Sequence, residues 1–282
     1  MEKIYEYIFT EELRINPKEH NILLTNNLMD PKEYNEKKAQ IMFETFKVPW
    51  FILGTEQILD LYSYGALNGI VIDSGEYFTY TIPFIESHYL KDAGIRVDLG
   101  GRNLTKYMWK NQPVKKEFVK TIKEKACYVA YDFEKELTSV KPFDYELPDN
   151  TKIILKEQRI ICPEALFKPY MVGKEGKGIA QTCVDSIKKC DENIRKVLYN
   201  NIFLCGGNSF FQGLPERLAK EIKALVPEYM KKEVKVNASP ERKYSAWIGG
   251  SILSSIPNFK SHWITKAEYE ESGVSIIQKK SF

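Results

Sequence analysis

The chain has 282 residues, 43% hydrophobic and 28% charged, a balance that describes a globular protein of about two domains, each able to bury its own core. Lys plus Arg number 41 against 38 Asp plus Glu, a net charge of +3 with the two signs interleaved; no basic stripe argues for a nucleic-acid partner. No apolar run approaches the ~20 residues of a membrane span, and Met1-Glu2-Lys3-Ile4 opens no signal peptide.

In chain order, Asp30-Pro31-Lys32-Glu33 predicts a helix start, with Asp30 as cap, Pro31 at the first helical position and Glu33 reaching back. Tyr34, Ile41, Met42 and Phe46 then recur at spacings of one helical face. A short apolar strand is expected at 50–53, and a helix from Thr55 towards Tyr62 that buries Ile58, Leu59 and Tyr62. The fully apolar run 69–72 reads as a strand and stops at Asp73-Ser74-Gly75. Residues 101–175 are more charged and broken by short helices; within them 115–126 places Phe118, Val119, Ile122 and Ala126 at helical spacing. A second apolar strand, 202–205, stops at Gly206-Gly207, and a helix over 214–226 follows with Leu218, Ile222, Leu225 and Val226 in register. The fold class is α/β. Five cysteines with no C-x-x-C pair read as reduced, mostly buried thiols, and three scattered histidines suggest no metal centre.

Open α/β sheets bind ligands beyond the carboxyl ends of their strands, which is where both small-residue loops fall. An Asp at a strand end can hold a metal ion or its waters. Ser and Gly let backbone N–H groups approach phosphate oxygens, and a Gly-Gly pair lets a ring or ribose lie close to the backbone. Either motif alone reads more readily as a tight turn.

Longer blocks carry more information. Glu12-Leu13-Arg14 with Pro17 and Glu19-His20, Leu23-Leu24-Thr25, Gln40-Ile41-Met42-Phe43-Glu44-Thr45-Phe46, Ile122-Lys123-Glu124-Lys125 and Cys127-Tyr128-Val129-Ala130 resemble successive segments of actin. So do Cys162-Pro163-Glu164-Ala165-Leu166-Phe167, Pro240-Glu241-Arg242-Lys243-Tyr244-Ser245 and Trp247-Ile248-Gly249-Gly250-Ser251-Ile252-Leu253, in the same order. The resemblance spans essentially the whole chain. It implies an actin-like two-lobed ATPase fold, shared with Hsp70 chaperones and sugar kinases, that clamps ATP or ADP with Mg or Ca. Residues 1–63, completed by 245–282, correspond to the first lobe. Residues 64–244 correspond to the second, with 100–174 as its smaller outer subdomain.

The resemblance assigns roles. Asp73, Ser74 and Gly75 look like the second phosphate loop, with Asp73 reaching the metal through water. Gly101, Lys123 and Glu124 look like the wall around ribose and adenine, although charge alone would put Lys123 and Glu124 on a solvated helix face. Gly206, Gly207 and Phe211 look like the adenosine loop, and Lys243 like the lysine beside the adenine. Tyr62, Ile248, Ile252, Leu253 and Ile256 look like the apolar cleft that actin partners enter; the alternative for the 248–253 stripe is plain core.

The departures concern the reaction. Met1 aligns with an internal methionine of actin, so the first lobe is expected to be incomplete, with N-terminal strands and the first phosphate loop missing. Glu56 stands where actins carry the glutamine that orients the attacking water, which makes Glu56 and Asp73 the doubtful catalytic pair; the alternative for Glu56 is an acid in a first helical turn. Tyr80 replaces a histidine, Lys120 an arginine, Phe211 a tyrosine and Glu76-Tyr77 an Asp-Gly; Tyr77 is expected to strain its turn and obstruct phosphate. Stretches 108–116 and 137–145 are shortened, and the loop 167–174 is altered at the place of the filament plug. His262 and Ser87 differ at the cleft rim. The expected function is an actin-like cytoskeletal protein of the cytoplasm, in a filament with itself or actin or beside one, with impaired ATP binding. Two alternatives stay open: a piece of a working ATP-hydrolysing actin, and a non-polymerising module that occupies actin-binding proteins through the cleft.

Overall fold

The computed structural model describes residues 1–111 and 114–280; the shortened stretch 108–116 therefore includes Gln112 and Pro113, which lie outside the described residues. The chain forms two compact units, Met1–Gly65 with Ala246–Phe282, and Ala66–Ser245.

The first unit begins with α1 (Glu2–Tyr7), β1 (Ile22–Asn26), α2 (Lys32–Gln40), β2 (Trp50–Thr55) and α3 (Glu56–Ser63). β1 and β2 run parallel, with Leu23 opposite Ile52, and α2 supplies the crossover that a parallel pair requires. Asp30 does not cap α2. Pro31 holds the cap position with no side-chain bond, while the Asp30 carboxylate accepts from Asn27 N–H at 3.2 Å and lies 3.9 Å from Lys38 Nζ. The expected apolar face is also shifted: Tyr34 is exposed, and Ala39, Ile41, Met42 and Phe43 are buried. A π turn over Ile41–Thr45 continues α2, and its wider winding advances the later side chains relative to a 3.6-residue repeat. Tyr62 is half-buried rather than core.

The second unit continues with β3 (Gly69–Ser74), β4 (Thr79–Ile85), β5 (His88–Tyr89), β6 (Ile95–Val97), α4 (Gly101–Lys110), α5 (Lys116–Ala126) and α6 (Phe133–Leu137). It then adds β7 (Phe143–Glu146), β8 (Lys152–Leu155), α7 (Gln158–Glu164), α8 (Ile179–Lys188), α9 (Glu192–Asn200), β9 (Ile202–Cys205), α10 (Leu214–Leu225) and β10 (Val236–Asn237). The sheet order is β10-β9-β3-β4-β5, with β6 also on β4. Every residue of β3 is buried, which explains its unbroken apolar run. β3 and β9 are parallel neighbours with Asp73 opposite Cys205, so their carboxyl ends, and the loops that follow, lie side by side. β4 returns antiparallel and sets Tyr80 opposite Asp73. On α10, Leu218 and Ile222 are buried but Leu225 is exposed, because the helix ends there and Val226 turns to extended backbone. All five cysteines are free and buried.

The chain returns to the first unit through α11 (Ser245–Ser255), β11 (Ile264–Thr265), α12 (Lys266–Ser272) and α13 (Ile276–Lys280). β11 pairs antiparallel with β2, Ile264 opposite Phe51, completing the order β1-β2-β11. Phe43 sits at the centre of this core, edge-on to Phe51 at 5.8 Å and stacked on Tyr269 at 4.5 Å. α11 crosses α3 at Gly249, where a Cβ would run into the Leu59 backbone. Among the described residues no helix is long and apolar enough to cross a membrane.

Candidate functional site

The adjacent ends of β3 and β9 build the floor of the site. Gly206 takes φ +82°, and a side chain there would meet the Ser74 carbonyl and the Asp73 carboxylate; the Gly-Gly loop rests directly on the Asp-Ser-Gly loop. A hydrogen-bond relay ties them together. Asn208 Nδ2 donates to Gly75 O at 2.7 Å and to Ser74 Oγ at 3.1 Å. Ser74 and Thr79 share their hydroxyls at 2.8 Å, and Thr79 Oγ1 donates to Leu99 O at 2.8 Å. Since Thr79 donates onward, Ser74 donates to Thr79, and the Ser74 side chain is committed to the fold.

Above this floor lies a cavity of about 360 Å³. Of the residues the sequence assigns to the nucleotide, Gly75, Lys123, Glu124, Gly207, Phe211 and Lys243 line it, joined by the departures Glu76 and Lys120. Asp73, Ser74 and Gly206 form the floor. Gly101 adjoins it: a Cβ there would crowd Asn208, Glu76 and Lys123 Nζ, and its carbonyl accepts from Lys123 Nζ at 3.2 Å. The solvated-face reading fails for Lys123, which is only 2% exposed, and describes Glu124, which is exposed. Burial pushes the Lys123 ammonium below its ordinary pKa, opposed by the neighbouring Glu76 and Glu124 carboxylates. Gly207 faces open space.

Sequence reading missed Asn208, Phe210 and Arg242. Arg242 donates to Ser209 O at 3.3 and 3.0 Å and to Ser239 O at 2.8 Å, and its guanidinium lies 4.4 Å from the Phe210 ring centroid. It also receives Gly206 N–H on its carbonyl at 3.1 Å, so it braces the whole Gly-Gly loop. The available signal was a polar residue directly after the glycine pair and an arginine beside Lys243.

The strain expected at Tyr77 is absent. The Glu76-Tyr77 turn closes through Gly75 N–H to Phe78 O at 3.0 Å, and neither Glu76 nor Tyr77 is among the residues with positive φ. Gly100 yields instead, since a Cβ there would strike the Glu76–Tyr77 backbone. The Tyr77 ring is 58% exposed and lines a different cleft. Tyr80 is buried on β4. Glu56, the first residue of α3, belongs to the first unit, and Asp73 to the second.

On α11, Leu253 packs against the cluster of Ile52, Phe259 and Trp263, whereas Ile252 and Ile256 are 44% and 45% exposed. Ile248, like Tyr62 on α3, is half-buried. Plain core therefore accounts for Leu253 and not for Ile252. Trp247, also exposed, was not among the residues assigned to the cleft. Among the described residues no three His, Cys, Asp or Glu gather as a metal-holding group.

A mixed α/β architecture with a loop-built cavity at the ends of parallel strands is the setting in which such folds hold ligands. The family model described as Actin matches residues 1–112 and 109–282. The match covers nearly the whole chain, and the chain belongs to the actin family. Members of that family typically bind an adenine nucleotide with a divalent cation.

Proposed function

We propose that this chain is an actin-like cytoskeletal protein, in or beside a filament, that binds an adenine nucleotide weakly and turns it over poorly. The observation that carries the reading is the convergence of Gly75, Lys123, Glu124, Gly207, Phe211 and Lys243 on one cavity. The residues fit such a ligand. Gly207 leaves room for a ring or ribose beside the backbone, Phe211 offers an aromatic wall, and Lys120, Lys123 and Lys243 supply positive charge. Asp73 would reach a divalent cation through water; that cation would neutralise phosphate charge when bound. Glu76 opposes binding, because it puts a carboxylate on the same lining.

Titration with ATP and ADP, with and without Mg, tests this. Binding should be micromolar or weaker and should fall about tenfold or more in Phe211→Ala. Turnover should match that of Asp73→Ala. No saturable nucleotide binding sinks the proposal, and turnover that Asp73→Ala removes overturns its second half.

The exposed Ile252 and Ile256 favour a second reading, an interaction module for actin-binding proteins. Such binding should survive Gly207→Ala and disappear in Ile252→Asp. Capture that persists in Ile252→Asp excludes it.

A further inference from the structure

We propose that the cleft between the Glu76-Tyr77-Phe78 turn and α4 is a second binding site, one that takes a phosphorylated ligand with a flat ring, of mononucleotide size. The cleft measures about 690 Å³, within the range of small-molecule sites. Among the described residues, Glu76 is the one it shares with the lining of the first cavity.

Its back wall is one face of α4: Arg102, Thr105, Lys106 and Trp109 recur at helical spacing and all line the cleft. Lys116 and Lys174 close the rim. Among the described residues no ion pair is formed by Arg102, Lys106, Lys116 or Lys174. Two acids share the lining: Asp98, 3.4 Å from Arg96 Nε, and Glu76, at the edge common to the first cavity. Four cations thus face two carboxylates, and an anion supplies the balance.

The rings decide the rest of the chemistry. Tyr77 is 58% and Trp109 45% exposed, and both rings line the cleft, so their faces are available for stacking. Arg102 stands 5.6 Å from the Tyr77 centroid and Lys116 5.4 Å from that of Trp109, so the cations are held against the rings they flank. A bare anion would use the cations and leave the rings exposed. An uncharged ring would do the reverse. A ring bearing a phosphate uses both, by stacking and by charge-assisted hydrogen bonds.

Of the four tryptophans, Trp109 is the one in the second unit, so its fluorescence reports on the cleft. The full chain is titrated with uridine monophosphate, with uridine and inorganic phosphate as controls. The expected result is saturable quenching that vanishes in Trp109→Phe. It should weaken about tenfold or more in the surface double variant Arg102→Ala/Lys106→Ala and stay unchanged in Lys123→Met and Phe211→Ala, which alter only the first cavity. The controls should bind about tenfold more weakly or worse. Absence of saturation overturns the proposal, as does phosphate binding as tightly as the nucleotide. Loss of quenching in Lys123→Met also overturns it, because the probe would then sit in the first cavity. ATP binding through Lys123, measured separately, stands or falls independently.

Discussion

Lys123 holds an ammonium with three donors almost wholly out of water, with the Gly101 carbonyl as partner. Its folded-state pKa lies below the ordinary lysine value because of that burial. Between the two values the unfolded chain binds more protons than the folded one, so stability rises as pH climbs through that window. Lys123→Met should therefore raise the melting temperature of the ligand-free protein near neutral pH by about 2–6 °C and flatten its alkaline rise. The same substitution should weaken ATP binding about tenfold or more; a melt that drops with binding unchanged would assign Lys123 to the core alone. Charge places this lysine on the surface, yet spacing does not: Val119, Ile122, Lys123 and Ala126 are one face of α5, and all are buried. Asn208 was illegible for a different reason, since its role depends on two strand ends distant in sequence that only the folded sheet brings together.

Among elements, the junction of α7 and α10 rests on a buried pair. Arg217 donates to both Glu164 carboxylate oxygens at 3.2 and 3.1 Å, to Ala130 O at 2.6 Å and to Glu221 at 2.6 Å. Arg217→Ala leaves the buried Glu164 carboxylate with Lys168, 3.5 Å away, as its remaining cation and should cost about 3 kcal/mol in denaturant unfolding; Glu221→Ala, at the half-exposed edge, should cost about 1 kcal/mol or less. The C-terminal helices offer a pH test. Glu268 caps α12 through Thr265 and pairs with Lys280 at 2.7 Å, and chiefly the Lys280 contact lowers its pKa from the ordinary 4.5 to about 2. That contribution is present above the unfolded value and fades as pH falls from about 4.5 towards about 2. Hydrogen exchange of α12 and α13 should accelerate over that window, and Glu268→Gln should show fast exchange already at neutral pH. The strands and their small-residue loops were readable because an apolar run bounded by glycine has few other meanings. Beyond Ile41 the register running to Phe46 was misjudged because a π turn changes the helical repeat without any residue type that announces it.

At the scale of the molecule, the second unit is one continuous stretch that owns its sheet and a core spanning Ile70 to Val234. Residues 66–245 expressed alone should melt cooperatively and keep the first cavity, all of whose lining residues lie within them. Residues 1–65 alone should not, because the core around Phe43 needs Ile264, Tyr269, Ile276 and Ile277 from the far end of the chain; circular dichroism of the two pieces checks both outcomes. The antiparallel seam between β2 and β11 has a further consequence for how the protein is made. On the ribosome, Phe51 emerges long before Ile264, and the whole second unit must be translated in between, roughly ten seconds or more. Through that interval β2 carries an open hydrogen-bonding edge with its apolar face uncovered. The nascent first segment thus keeps an unpaired strand edge and apolar surface until the last helices arrive, while the second unit can already be folded.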